Sequence, residues 1–185
     1  PYQCTGNGVW MGTAAQIHQT ADIQGPVLIG DNCFVGPEVQ IEGFTVIGDN
    51  VVVEDQASLK RSIIWQNCHI GKKSQLRGAT LANRVQVRGN TGIFEGAVIG
   101  DDSIIEQHCL IKPNIKIWPA KSVETGTIVN SSLIWGTRCT RTLFGNQGIT
   151  GVANTEITPE FAAKLGAAYG TWLGYGAAVA VGADD

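Results

Sequence analysis

The sequence predicts an all-β fold, a parallel β-helix built from hexapeptide repeats, followed by an incomplete α/β segment. Three observations carry that prediction. An aliphatic residue returns every sixth position: Ile17, Ile23, Ile29, Val35, Ile41, Ile47, Val53 and Leu59, with Met11 one step earlier. After five-residue steps at Leu59–Ile64 and Leu76–Leu81 the period resumes through Val87 to Val129, and one more short step reaches Ile134. Neither a helix nor a simple strand produces that spacing, whereas stacked three-sided coils do. The second observation is a column of small or thin residues four places after each aliphatic one, among them Cys33, Val39, Thr45, Val51, Ala57, Cys68, Ser74, Thr80 and Cys109. Large residues on flat faces and small ones near the corners fill a prism at interior density. The third is Gly30-Asp31-Asn32, Gly48-Asp49-Asn50 and Gly100-Asp101-Asp102, which all fall on one of the three edges. These residue types suit tight corners.

Taken in order, residues 1–10 are a lead-in, and Gly6-Asn7-Gly8 within them reads as a turn. It lacks the Lys-Ser/Thr and the strand-turn-helix context of a phosphate loop. Residues 11–140 form the β-helix, about seven coils at three hexads per coil. Lys121 and Arg138 interrupt the small column, so the helix loosens toward its end. Past Arg141 the six-residue period stops. Thr158-Pro159-Glu160 reads as N-cap, proline and first-turn acid of a helix. Phe161, Leu165, Ala168 and Trp172 mark one face of that helix, and residues 177–181 read as a buried strand. One helix and one strand cannot bury a sheet, so residues 141–185 are expected to be the truncated start of an α/β domain within a longer polypeptide.

Composition narrows the function classes. Charged residues are 16% of the 185 and the net charge is −3, with Lys and Arg scattered. That argues against a nucleic-acid surface, which needs a clustered basic face. No apolar run approaches the ~20 residues of a membrane span and no signal peptide opens the sequence. Five cysteines without a C-x-x-C pattern, three of them (Cys33, Cys68, Cys109) in the small column, predict reduced core thiols and a cytoplasmic protein.

Few residues are candidates for chemistry. His18, His69 and His108 lie far apart at different hexad phases. They are expected to be scattered surface or corner residues rather than a three-histidine zinc site of the γ-carbonic-anhydrase kind. A hexapeptide acyltransferase would need one of them as general base at a subunit boundary, and none has a supporting motif. Asp101-Asp102 reads as solvated corner. No catalytic, cofactor-binding or metal-binding residue is assigned. Trp65, Trp118 and Trp135 each follow an aliphatic hexad position on the Gly-Asp edge, Trp118 and Trp135 as neighbours on adjacent coils. This edge is the candidate packing or oligomer edge, because outward indoles are usually covered.

Several segments resemble a known family. Ile23-Gln24-Gly25-Pro26-Val27-Leu28-Ile29-Gly30-Asp31-Asn32, Arg61-Ser62-Ile63-Ile64-Trp65 and Phe94-Glu95-Gly96-Ala97-Val98-Ile99-Gly100-Asp101 resemble the C-terminal left-handed β-helix of sugar-nucleotide pyrophosphorylases. Ile111-Lys112-Pro113-Asn114-Ile115-Lys116-Ile117-Trp118-Pro119 and Ser132-Leu133-Ile134-Trp135-Gly136 bring it nearest to mannose-1-phosphate guanylyltransferases. Leu143-Phe144-Gly145-Asn146-Gln147-Gly148-Ile149-Thr150-Gly151, with Glu156-Ile157-Thr158-Pro159-Glu160, resembles the start of phosphohexomutases. The resemblance implies a left-handed β-helix serving as scaffold and oligomerisation module of a cytoplasmic nucleotidyltransferase that makes GDP-mannose from mannose-1-phosphate and GTP. It implies Mg²⁺ for the parent enzyme and no cofactor for this fragment. Flanking nucleotidyltransferase and mutase-like domains belong to the parent chain, and the fragment alone is expected to be inactive. Alternatives are a hexapeptide-repeat acyltransferase or a non-catalytic structural β-helix. Where phosphohexomutases have Thr-Ser-Gly-x-Arg-Gly, Asn146-Gln147-Gly148-Ile149-Thr150-Gly151 lacks the serine and the arginine. Gly182-Ala183-Asp184 stands where Gly-Arg-Asp is common, so the mutase-like segment is expected to be altered in phosphosugar binding.

Overall fold

The aliphatic residue of each hexad turns inward because the residues on either side of it on a two- or three-residue strand must point out. A computed structural model describes residues 2–134, 136, 138–139, 144, 148–149, 157–176 and 178–179. It is a parallel β-solenoid of about seven turns with one C-terminal helix, and it divides into two units, Pro1–Leu143 and Phe144–Asp185. In the first unit three parallel sheets form the faces of a prism. The first face climbs from Val9–Met11 to Lys116–Ile117, the second from Gln16–Ile17 to Arg138–Cys139, and the third from Asp22–Ile23 to Ile128–Val129. Gln3–Cys4 folds back antiparallel on Val9–Met11 through the turn at Gly6-Asn7-Gly8 and covers the lowest rung of the first face.

The core is one continuous stack. Ile29, Ile41, Ile47, Leu59, Ile64, Ile70, Leu76, Leu81, Ile93, Ile99, Ile105 and Ile111 are all fully enclosed. Each contributes roughly 1.5–3 kcal/mol of transfer free energy. The two five-residue steps fall where the spacing places them. Strand partners lie 17 apart across them, as in Ile47 with Ile64 and Leu59 with Leu76, 16 apart at the last turn, as in Ile117 with Leu133 and Val123 with Cys139, and 18 apart in the other parallel pairs.

Two details of register differ from the sequence expectation. The buried small residue of the coil between Leu76 and Leu81 is Ala79, not Thr80, which pairs outward between Ile63 and Val98. A five-residue step keeps the position two before the next aliphatic residue, so the small slot moves down by one. The same applies to the last short step. Ile117 bridges to Leu133 rather than to Ile134, and Leu133 packs on the core. Arg138 is not at the small-column position either, since its strand register sets it opposite Ser122 on the second face.

Part of the small column also carries hydrogen bonds. The Cys33, Cys68 and Cys109 thiols donate to the carbonyls of Gly48, Ala82 and Glu124 at 3.0, 2.9 and 3.0 Å. Ser74, Thr91 and Ser103 hydroxyls donate in the same way to Arg88, Glu106 and Trp118. Each side chain thus ties its corner to the coil above and satisfies a carbonyl that the turn leaves without a sheet partner.

In the second unit the helix spans Pro159–Leu173, with Thr158 Oγ1 accepting from the Phe161 amide and Gly174 ending it. Phe161 and Leu165 are half-buried, Ala168 and Trp172 exposed, and Trp172 stacks on Tyr169 at 5.9 Å. Of the expected strand, Ala178 and Val179 lie outside regular structure, and its other three residues fall outside the described ones.

Candidate functional site

The Gly-Asp edge joins the first face to the second, and its geometry explains its composition. Gly30 and Gly48 do not have positive φ; the left-handed residues there are Asn32 and Asn50, at φ 53° and 56°. The glycines are required by close approach: a Cβ on Gly30 would lie 2.6 Å from the Gly48 carbonyl carbon and collide with the Asp49 carboxylate. That carboxylate accepts the Asp31 amide at 2.8 Å, and Asp101 accepts the Asn83 amide at 2.7 Å, so each aspartate fastens the corner one coil below. Arg84 and Asp102 add a two-point ion pair between adjacent coils, which draws the Asp102 carboxyl below its usual range. The aspartates of this edge are therefore structural braces.

Trp65 and Trp118 sit on this same edge, three rungs apart in the ladder Trp65, Ala82, Gly100, Trp118. They are 53% and 51% exposed. Trp135 lies outside the described residues. The one-residue change in register at Leu133 moves the position stacked on Trp118 to Ile134.

The three histidines are dispersed. His18 is exposed and its Nδ1 lies 2.8 Å from Thr20 Oγ1. His69 projects from the second face, its Nε2 3.1 Å from Glu54 Oε1, while the other Glu54 oxygen accepts the Lys72 amide. His108 occupies a corner at φ 59°. Among the described residues no group of three or more His, Cys, Asp or Glu converges as a metal cage would require. Cys33, Cys68, Cys109 and Cys139 are free thiols whose ionisation burial pushes up, Cys68 to about 11. Thiols held in the neutral form are poor nucleophiles.

The family described as EIF2B subunit epsilon LbH domain matches residues 6–111, more than half of the sequence. The chain belongs to this left-handed β-helix family. Residues 141–185 match phosphoglucomutase/phosphomannomutase α/β/α domain I. Over the LbH region the chain is similar to dynactin subunit 6 of Nematostella vectensis, 23% identical over 144 residues, 71% of this chain and 76% of that protein. It is similar to the bifunctional protein GlmU of Clostridium kluyveri, 27% identical over 136 residues, and there it spans 74% of this chain but only 29% of its relative. A phosphoglucomutase/phosphomannomutase of Thermococcus kodakarensis is 64% identical over 31 residues, 17% of this chain and 7% of that enzyme. Among solved structures, a GDP-perosamine N-acetyl transferase of Caulobacter crescentus has 20% identity and a TM-score of 0.49, covering 76% of this LbH chain and 58% of its own. Among the described residues no helix is long and apolar enough to cross a membrane.

Sequence reasoning assigned no catalytic, cofactor or metal residue. It missed the hydrogen-bonding role of the cysteines, serines and threonines. It also missed an outward apolar column on the first face, whose signal is the residue immediately before each of the inward aliphatics of that face.

Proposed function

We propose that this LbH chain is the scaffold and assembly module of a nucleotidyltransferase that makes GDP-mannose from mannose-1-phosphate and GTP, releasing pyrophosphate. The observation that carries the reading is the order of two matches in one chain, an LbH β-helix and then the start of a phosphomutase α/β/α domain. Both halves then concern sugar phosphates. In this reading the nucleotide, the sugar phosphate and Mg²⁺ are held by a separate catalytic domain, and no residue of this chain is assigned to them. The β-helix supplies rigidity: its corners are braced coil to coil by carboxylates and thiols, and its faces present outward side chains in fixed rows. Trp65 and Trp118 are packing positions of that assembly. The mutase-like segment, lacking the serine and arginine of the usual motif, is altered in phosphosugar binding.

The test is enzymatic and uses the full-length protein. Purified full-length protein with GTP, mannose-1-phosphate and Mg²⁺ is expected to form GDP-mannose and pyrophosphate, and the 185-residue chain to form neither. Failure of the full-length protein with this pair, or turnover by the 185-residue chain alone, refutes the proposal. Acyl transfer from acyl-CoA, abolished by His69→Ala, would favour the acyltransferase alternative, which the His69–Glu54 pair would serve.

A further inference from the structure

Each rung of a face turns one side chain outward, and on the third face these are Asp22, Gln40, Ser58 and Gln75, each opposite the next in register. The corresponding column of the first face is apolar, Trp10, Leu28, Val46 and Ile63. That of the second is mixed, Gln16, Phe34, Val52 and His69. A hollow of about 650 Å³ runs along the third-face column, within the range of small-molecule sites. Its rims are tied. On one side Gln56 Nε2 donates to Glu38 Oε2 at 2.6 Å, and the Glu38 amide donates to Thr20 Oγ1 at 3.0 Å. On the other side Lys60 pairs with Glu42 and Arg77 with Glu95. Between the rims, the side chains of Gln40, Ser58 and Gln75 make no hydrogen bond among the described residues. One rung above, Gly92 pairs with Gln75 and the half-buried Phe94 ring lies against it. A Cβ on Gly92 would sit 3.1 and 3.2 Å from two carbons of that ring. A second hollow of about 320 Å³ continues there, bordered by Gln75, Phe94 and Leu110.

We propose that the third face is a binding site for a neutral linear oligosaccharide, which lies along the solenoid axis with one sugar ring against Phe94. The inference goes beyond the enzymatic reading above and does not rest on it. Hydrogen-bond chemistry supports the ligand class. A primary amide offers donors and an acceptor, and a serine hydroxyl offers both, so Gln40, Ser58 and Gln75 can each meet a sugar hydroxyl in either sense. Spacing supports a polymer. The rungs recur about every 4.8 Å, so these three groups form an even row suited to a chain whose hydroxyls also recur. Phe94 supplies what the row lacks, an aromatic face whose negative quadrupole attracts the C–H side of a sugar ring. Charge disfavours other polymers. The carboxylates of Asp22, Glu38 and Glu42 face the cations of Lys60 and Arg77 across the hollow, so a polyanion such as a nucleic acid finds no basic track. An extended peptide would need an unpaired sheet edge or apolar side-chain pockets. Here the strands Gln40–Glu42, Ser58–Lys60 and Gln75–Arg77 are each paired on both sides, and the floor is polar.

Proton–nitrogen NMR titration of the 185-residue chain with mannohexaose, cellohexaose and maltohexaose tests this. At least one hexasaccharide is expected to shift the side-chain amide signals of Gln40 and Gln75, and to bind roughly tenfold more tightly than its own monosaccharide. Gln40→Ala with Gln75→Ala is expected to weaken that binding by about tenfold, through the loss of two neutral hydrogen-bonding groups. Phe94→Leu, which keeps the apolar bulk over Gly92 and removes the ring, should weaken it by about threefold. Gln86→Ala removes an exposed amide from the second face and should leave binding unchanged. Gln40, Gln75 and Gln86 are all exposed, so their variants should keep the wild-type circular dichroism spectrum. No shift with any of the three hexasaccharides overturns the proposal, as does binding that survives the double variant or is lost equally with Gln86→Ala. Binding of a charged oligosaccharide or an extended peptide to this face in place of the neutral sugars also overturns it. Because the titration reads only this chain, its failure leaves the GDP-mannose reading standing, and failure of that reading leaves the titration unaffected.

Discussion

Gly30 and Gly48 occupy equivalent corners one coil apart, yet alanine at the two positions is expected to have different consequences. Neither has a left-handed φ, so the backbone accepts alanine at both. The difference lies above them. Over Gly30 the ideal Cβ meets backbone at 2.6 and 2.8 Å and collides with the Asp49 carboxylate that braces the Asp31 amide. Over Gly48 the nearest atoms are the Trp65 carbonyl carbon at 3.0 Å and the Gln66 nitrogen at 3.1 Å, so a shift of a few tenths of an ångström suffices. Overpacking costs about 1–3 kcal/mol and loss of the carboxylate–amide bond about 1 more, against a gain of about 0.4–1 from reduced freedom of the unfolded chain. Gly30→Ala should therefore destabilise by roughly 1–3.5 kcal/mol, and Gly48→Ala should lie between slight stabilisation and a loss of about 1. Urea unfolding followed by circular dichroism measures both, with the denaturant slope as a check on two-state behaviour. Equal losses, or a larger loss at Gly48, would show that close approach is not why this corner uses glycine.

Three further outcomes are expected. Ile47→Ala, in the enclosed stack, should cost roughly 2–5 kcal/mol, while Gln40→Ala on the exposed third face should stay within about 0.5; comparable values would mean that the inward and outward registers are misassigned. Burial raises the Cys68 thiol to about 11 from an ordinary value of 9.0, so the unfolded chain releases that proton first. Stability from this group is complete below pH 9 and declines as pH rises toward 11, by roughly 2–3 kcal/mol. Cys68→Ser, whose hydroxyl can make the same bond to Ala82, should flatten that decline in alkaline unfolding curves, and an unchanged pH profile would refute the assignment. Trp65→Ala should weaken self-association in sedimentation velocity and leave the circular dichroism intact, and an identical oligomer would exclude Trp65 from the interface.

The prism and its coil number were legible because the period of six is long, regular and carried by residues that end up enclosed from Ile29 to Val129, with Met11, Ile17 and Ile23 partly buried at the base. What was not legible follows from the short steps. A five-residue step shows that one residue is missing but not from which side of the corner, so Thr80 was placed where Ala79 lies and Ile134 where Leu133 bridges. The thiol and hydroxyl bonds were hidden because composition cannot distinguish a small residue chosen for size from one chosen for its proton. Alanine at 57 and 97 fills the same column with no bond to give. Trp10, Leu28, Val46 and Ile63 were in view throughout, but reading every hexad against one template averaged the three faces together. Only separating them by coil isolates one apolar row from its polar counterparts.

The stacked corners also make this solenoid a ruler. Chain enters at the base beside Val9–Met11, and the second face reaches its last rung at Arg138–Cys139. Each coil between adds about 4.8 Å along the axis. Whatever is joined at the two ends is held apart by a length that changes only in whole coils. Inserting or deleting 18 residues moves one attachment point by a single rung without turning any side chain to a different face. A deletion of one residue at a corner, as in the coils at Leu59–Ile64 and Leu76–Leu81, leaves the length unchanged and alters only the corner itself. Spacing and corner chemistry can therefore vary independently, which a globular linker domain of the same size does not permit.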